Sequence, residues 1–218
     1  MCIFNFSLNL MDVVLIILAV MLLIWIAWSY FGTRNIERPR IVSRKILGNG
    51  IELREVAPMI QATVTVGWKQ KEAITNGFRQ LAGYIFGWNT TKKSVAMTAP
   101  VALSTSSASI AMTAPVAAQK EWHTYRVSFM MPHKYTLDTL PKPNNKNIAF
   151  VEIPAKKYYV WSFSWYATEP RANKQLALFL KALKSQNKKH AATSILNQYN
   201  DPWTMPLMRT NELWIEAE

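Results

Sequence analysis

Val95-Ala96-Met97-Thr98-Ala99-Pro100-Val101 is followed, after a serine- and threonine-rich spacer at 104–109, by Ile110-Ala111-Met112-Thr113-Ala114-Pro115-Val116. The chain repeats one phrase almost without change. Each copy carries an apolar run up to a proline. Proline removes a backbone donor and holds the residue before it extended. Each copy therefore reads as a short strand that stops at Ala-Pro, and the two together read as a hairpin or a pair of edge segments. Met97 and Met112, at matching strand positions, read as adaptable core fillers.

The segments on either side of this pair set its context. Residues 51–56 and 60–68 read as strands. In the second, Ala62, Val64, Val66 and Trp68 alternate with small or polar residues, which is the period of a half-buried strand. The period then changes. Ile74, Phe78, Leu81 and Ile85 fall on one stripe of an amphipathic helix over 69–86, which stops at Gly87. Gly77 and Gly83 weaken that helix and mark a close-packed face, the preferred reading, or the close approach of a flat ligand. Beyond the repeated phrase, 122–131, 148–153, 157–165 and 209–215 read as strands. A second helix is expected from 169 to about 186, with Thr168 as N-cap, Pro170 in its first turn, and Leu176, Phe179, Leu180 and Leu183 on one face. Arg209 and Glu212 read as a surface pair.

The two halves match under a shift of 97 residues. Glu55 superposes on Glu152, Trp68 on Trp165, Val64 on Trp161 and Leu81 on Leu178. The pattern predicts a duplicated strand–helix unit packed about a pseudo-twofold, with the repeated phrase between the copies.

The amino terminus is of another kind. Residues 13–31 carry no charge and as a helix would be about 28 Å long, close to the hydrocarbon core of a bilayer. Trp25, Trp28 and Tyr30 cluster at the end, as aromatic side chains do at headgroup level. No basic residue precedes the run, so it reads as a retained single-span anchor rather than a cleaved signal. Met11 is an alternative start. The expected organisation is an anchor at 1–33, a basic juxtamembrane linker at 34–49 and one folded domain at 50–218. Arg34, Arg38, Arg40, Arg44 and Lys45 crowd the carboxyl side of the run, which places the domain in the cytoplasm by the positive-inside rule, with the periplasm as the alternative. All 25 Lys and Arg follow residue 33, and the net charge is +12. That charge suits anionic lipid. No helix-turn-helix, RNP-like or zinc pattern supports nucleic acid as a partner. The one cysteine, Cys2, excludes a disulfide framework and a cysteine zinc site.

The chain resembles the SOUL heme-binding family. The likeness rests on the twice-used Met-Thr-Ala-Pro-Val phrase, on Val127-Ser128-Phe129-Met130-Met131-Pro132-His133-Lys134-Tyr135 with Leu140-Pro141, and on the tail with Tyr199, Asp201-Pro202, Pro206, Arg209 and Asn211-Glu212-Leu213-Trp214. It spans roughly residues 46–216. It implies an α+β fold: a distorted antiparallel β-barrel of two β-α-β repeats with two amphipathic helices, here preceded by a transmembrane helix. It implies binding of heme or a related tetrapyrrole in a shallow apolar pocket beside the first helix of the domain, without a firm protein ligand to the iron. Mapped here, that pocket involves Ile74, Phe78, Leu81 and Ile85, with Lys71, Arg79, Lys92 or Lys93 for the propionates. His123, His133 and His190 are the histidines available, and none lies on that helix. The sequence shows no nucleophile–base pair, HExxH or phosphate loop, so no enzyme activity is expected. The other reading is a non-heme module on the same fold, recognising an apolar ligand or a protein partner of unknown identity.

Overall fold

The computed structural model describes residues 9–32, 36–67, 70–106 and 124–218, without the side chains of residues 70, 105 and 106. A helix, α1 (Leu10–Phe31), comes first. Asn9 caps it, accepting from Asp12 N at 2.9 Å while Asp12 Oδ2 accepts from Asn9 N at 3.2 Å, a reciprocal capping box. The remaining elements are β1 (Ile41–Gly48), β2 (Ile51–Val56), β3 (Met59–Gly67), α2 (Gln70–Ile85), β4 (Val101–Ser106), β5 (Thr124–Met130), β6 (Ala149–Ile153), β7 (Lys156–Phe163), α3 (Glu169–Ser185), β8 (His190–Gln198) and β9 (Asn211–Ala217).

The strands form one antiparallel sheet in the order β1-β2-β7-β9-β8-β4-β5-β3-β6. The sheet is not closed, which corrects the expected barrel. β6 is five residues long and largely exposed, and among the described residues no strand pairs with its outer edge. β1 occupies the opposite edge.

The period-two residues of β3 point where their alternation predicts. Ala62, Val64 and Val66 face the helical side in register with Phe129, Val127 and Tyr125 of β5. α2 packs on these two strands through Ala73, Leu81, Tyr84 and Ile85. Gly77 is where helix and sheet come closest: a Cβ there would lie 2.5 Å from the Val127 side chain. Gly77→Ala therefore gains helix propensity of about 1 kcal/mol but overpacks the seam by about 1–3 kcal/mol. The expected net is a loss of stability in chemical denaturation; a more stable variant would show that the seam yields. α3 buries Ala172, Phe179 and Leu183, and Phe179 stacks on Trp161 at 5.8 Å. Leu180, expected on that face, is instead 37% exposed. Thr168 does cap the helix by position, but its side chain makes no capping bond.

Two other expectations change, and one strand was not expected. The first copy of the repeated phrase is not a strand ending at its proline. Residues 94–97 are irregular, and β4 begins after Pro100, where a missing N–H is tolerated at a strand's first residues. β4 pairs with β5, and the second copy lies outside the described residues. The stretch read as a linker contains β1, joined to β2 by a two-residue turn with Asn49 at φ 51° and Gly50 at φ 77°. β8 had no distinct sequence signal; its burial alternates poorly, and pairing with β4 and β9 on both sides holds it.

Candidate functional site

α2 carries the residues expected to meet a ligand, and the sheet claims part of them. Leu81 and Ile85 are 0% and 1% exposed, inside the main core, so they are packing residues rather than a ligand wall. The apolar stripe of a helix is the stripe its own sheet consumes. Ile74 and Phe78 are half-buried at the edge of that core, Phe78 edge-to-face on Phe129 at 5.3 Å between centroids. Lys71 and Arg79 are exposed. The open apolar surface lies just past the helix, in Phe86 and Trp88, 72% and 62% exposed. Buried Asn89 shapes this turn. Its Nδ2 donates to Tyr84 O at 3.1 Å and to Lys93 O at 2.7 Å, which holds the 86–93 loop against the helix end. Trp88 lies over Gly83, where a Cβ would stand 3.4 Å from its ring. Lys92 and Lys93 on the same loop are exposed.

A deeper concavity lies at the end of β5. A groove of about 570 Å³ is lined by Ile60, Met131, Pro132, His133, Tyr135 and Pro154, with Glu152 as its carboxylate. Its histidine is held in place. The strand-breaking Pro132 ends β5, the His133 amide donates to Glu37 Oε1 at 2.7 Å, and the same carboxylate oxygen pairs with the ring Nδ1. Glu37 belongs to a strap crossing from the anchor side. Its carbonyl accepts from Ala99 N at 2.9 Å, and Arg40 O accepts from Ala57 N at 2.9 Å. Thr98 of the repeated phrase sits beneath, its hydroxyl bonded to Met130 O. The phrase thus seats the strap that orients His133. Burial alone would raise the Glu37 carboxyl; the bonds from His133 and the charges of His133 and Lys134 outweigh it and leave the carboxyl below the ordinary 4.5. The Lys134 ammonium lies 5.2 Å from the Tyr135 ring centroid, beside the groove. An imidazole with one nitrogen bonded to a carboxylate presents the other as a fixed, electron-rich ligand. His190 lies far along the chain in β8 with Nδ1 on Ala191 O, and His123 lies outside the described residues. Among the described residues no group of three His, Cys, Asp or Glu stands together as a metal cage.

On the sheet face away from the helices, Glu212 is the centre of a buried network. It accepts from Arg54 Nη1 at 2.9 Å, Tyr199 Oη at 2.7 Å, Trp214 Nε1 at 2.7 Å and Ser162 Oγ at 3.4 Å. Burial and the Glu212 carboxylate push the Tyr199 hydroxyl far above its usual range. The expected surface pair of Arg209 and Glu212 is therefore two separate buried groups. Arg209 Nη2 donates to Asp201 O at 2.7 Å, and its Nε to Thr204 O at 3.1 Å, which folds the tail loop. That loop is fastened to α1: Trp25 Nε1 donates to Trp203 O at 2.7 Å, and Met205 N to Ser29 Oγ at 2.9 Å.

The family model described as SOUL heme-binding protein matches residues 37–216. The chain belongs to the SOUL heme-binding family. The match begins at the residue that holds His133 and takes in the sheet, including β1, up to but not including the last residue of β9. Solved structures share this fold. The crystal structure of the EcmrR C-terminal domain superposes with a TM-score of 0.56 at 10% identity, covering 77% of this chain and 96% of that one. A hydrolase from Listeria innocua superposes with a TM-score of 0.54 at 10% identity, covering 87% and 97%. At such identity the likeness is one of fold alone. No curated protein matches the chain.

Proposed function

We propose that this SOUL protein is a membrane-tethered tetrapyrrole-binding protein, with heme as the best-fitting ligand, acting as carrier, buffer or sensor rather than enzyme. The observation that carries the reading is the groove of about 570 Å³ in which Glu37 holds His133. Its volume falls within the range of small-molecule sites, ~300–1,000 Å³. Its walls are mostly proline, methionine and aliphatic side chains, and Lys134 stands at its side for an anionic edge. Bound heme would supply an iron centre, for which His133 is the protein ligand on offer. A second surface has its own support: Phe86 and Trp88, with Ile74 and Phe78 at the flank and Lys71, Arg79, Lys92 and Lys93 around, make the flat apolar face beside the first helix of the domain.

Hemin titrated into the full chain in detergent micelles is expected to give a saturable Soret shift. His133→Ala should change the Soret position and weaken binding about tenfold or more, in line with loss of a metal ligand. An unchanged spectrum in His133→Ala with loss in Trp88→Asp moves the site to the second surface. No saturable shift at micromolar protein refutes heme binding and leaves the non-heme module as the reading.

Tethering is read from α1. Its residues 13–31 expose their apolar side chains, and its most apolar stretch has a mean hydropathy of 2.9. Trp203 and Leu207, 76% and 70% exposed on the loop fastened to its last two turns, suit the headgroup layer beside Trp25 and Trp28. The basic flank supports a cytoplasmic domain, although Arg44 is engaged with Glu52 and Arg38 lies over Tyr199. A reporter fused after Glu218 is expected to be active in the cytoplasm; activity only outside it would reverse the orientation. The duplication is supported by the strand order. Outward from the β4–β8 pair, one flank runs β4-β5-β3-β6 and the other β8-β9-β7-β2, each half lending its first strand to the other.

A further inference from the structure

The loop between β8 and β9 rests on α1 with its two largest apolar side chains, Trp203 and Leu207, exposed. Trp203 O and Met205 N are bonded to Trp25 and Ser29, and Trp203 walls an open cleft of about 390 Å³ with Met21, Ile24, Trp25 and Trp28. Leu207 stands on a single helical turn, Pro206–Met208. The turn between β7 and α3 adjoins this loop. Trp165 N donates to Pro206 O at 3.0 Å, and the Arg209 guanidinium lies 4.5 Å from the Tyr166 ring centroid. Trp165 and Tyr166 are both exposed. Trp165 also holds a left-handed φ of 78°, a backbone conformation that costs about 1–2 kcal/mol. Asn211 Nδ2 pins it there by donating to Trp165 O at 2.7 Å. The strain gains no burial for the ring, so it points to a contact outside the chain.

α1 sets the level at which this surface stands. Trp25 precedes the helix end at Phe31 by about 9 Å along the axis. With residues 13–31 across the bilayer, the loop bonded to Trp25 falls at the ~5–10 Å depth of elements that lie in a membrane surface. A loop at that depth needs its backbone groups matched within the protein. Pro202 and Pro206 have no N–H. Trp203 N and Thr204 N donate to Asp201 Oδ1 at 2.7 and 2.9 Å, and Met208 N to Met205 O at 2.9 Å. Arg209 takes the carbonyls of Asp201 and Thr204. We infer that Trp203, Leu207, Trp165 and Tyr166 form a second membrane contact, seated in the headgroup layer beside α1. The inference rests on α1 spanning the bilayer, as proposed above. The chemistry of the patch fits lipid rather than a protein partner. Its indole and phenol rings belong at headgroup level, and Arg171, 5.9 Å from the Trp165 ring centroid, brings a cation on a long apolar stem. The cleft walls of methionine, isoleucine and tryptophan make the surface continuous with the helix. Helix and loop together hold the domain in one orientation on the membrane, where a helix alone would let it swing.

The test uses the full chain in nanodiscs of phosphatidylcholine with a minority of phosphatidylglycerol. Cys2→Ser removes the native thiol, and Leu207→Cys, Tyr166→Cys, Leu18→Cys and Lys142→Cys are each labelled with bimane. All four sites are exposed, so the labels leave the packing in place. A nitroxide lipid labelled near the headgroup is expected to quench the Leu207 and Tyr166 labels about twofold or more beyond the Lys142 label, as for groups seated in the interface. A nitroxide near the chain end reads the Leu18 label, in mid-helix, and so reports the span itself. Leu18 quenched with either loop label unquenched overturns the second contact and leaves the anchor standing. Leu18 unquenched removes the anchor and the inference with it. Equal quenching at Lys142 also overturns the inference, because the surface would then differ in nothing from the rest of the domain.

Discussion

Replacing Glu212 with alanine is expected to cost about 3–5 kcal/mol of stability, the range for removing one partner of a buried ion pair. The carboxylate is 5% exposed and accepts from a guanidinium, a phenol, an indole and a hydroxyl. Removing it strands the Tyr199 hydroxyl and the Trp214 N–H, each without water. Arg54, whose side chain is 12% exposed, keeps only Glu52. Glu212→Gln retains the shape but offers one acceptor where there were two, so a smaller loss of about 1–3 kcal/mol is expected. Urea unfolding of the full chain in micelles, followed by circular dichroism, measures both. A Glu212→Ala loss below about 1 kcal/mol would show that the network contributes little beyond a single neutral hydrogen bond.

Phe129→Ala is expected to cost a similar amount, about 3–5 kcal/mol, through the hydrophobic seam instead. Phe129 is 2% exposed, lies opposite Ala62 and Val101 in the sheet, and takes the edge of Phe78 from α2. Its neighbours on β5 and β3 are the surface on which α2 rests. The small Ala62 and nearby Gly77 cannot fill the space left behind, so the cavity persists and its cost is not relieved. Phe86→Ala, at a ring 72% exposed, is the matched control and should stay within about 0.5 kcal/mol of the parent. Equal effects from the two would show that α2 is held from its outer side.

Elements with one buried face were readable from periodicity. β2, β3, β7, α2 and α3 were expected within two residues of where they lie, because alternation and the helical stripe follow from burying one side. The strands without that contrast were harder. β1 exposes almost every side chain, yet Asn49-Gly50, the strongest short hairpin signal, stood in the sequence and marked its turn. β8 is held by partners on both sides, which no local pattern encodes. The candidate site was less readable still. A stripe such as Ile74, Phe78, Leu81 and Ile85 looks the same whether it faces a ligand or a sheet, and the sheet took the last two. Glu37 and His133 lie 96 residues apart and meet only because the strap crosses the end of β5.

By itself the sequence determined the apolar amino-terminal helix, the two amphipathic helices, the alternating strands and, through its recurring phrases, membership of the SOUL family. Those are local quantities: hydrophobic period, turn chemistry and composition act over a few residues. The tertiary structure alone decided that the sheet stays open, that Thr98 and Ala99 of the first phrase seat a strap, and that Glu212 gathers four donors. Each of these depends on which strands become neighbours, and neighbours in a sheet are chosen by long-range packing rather than by the residues adjoining them in the chain.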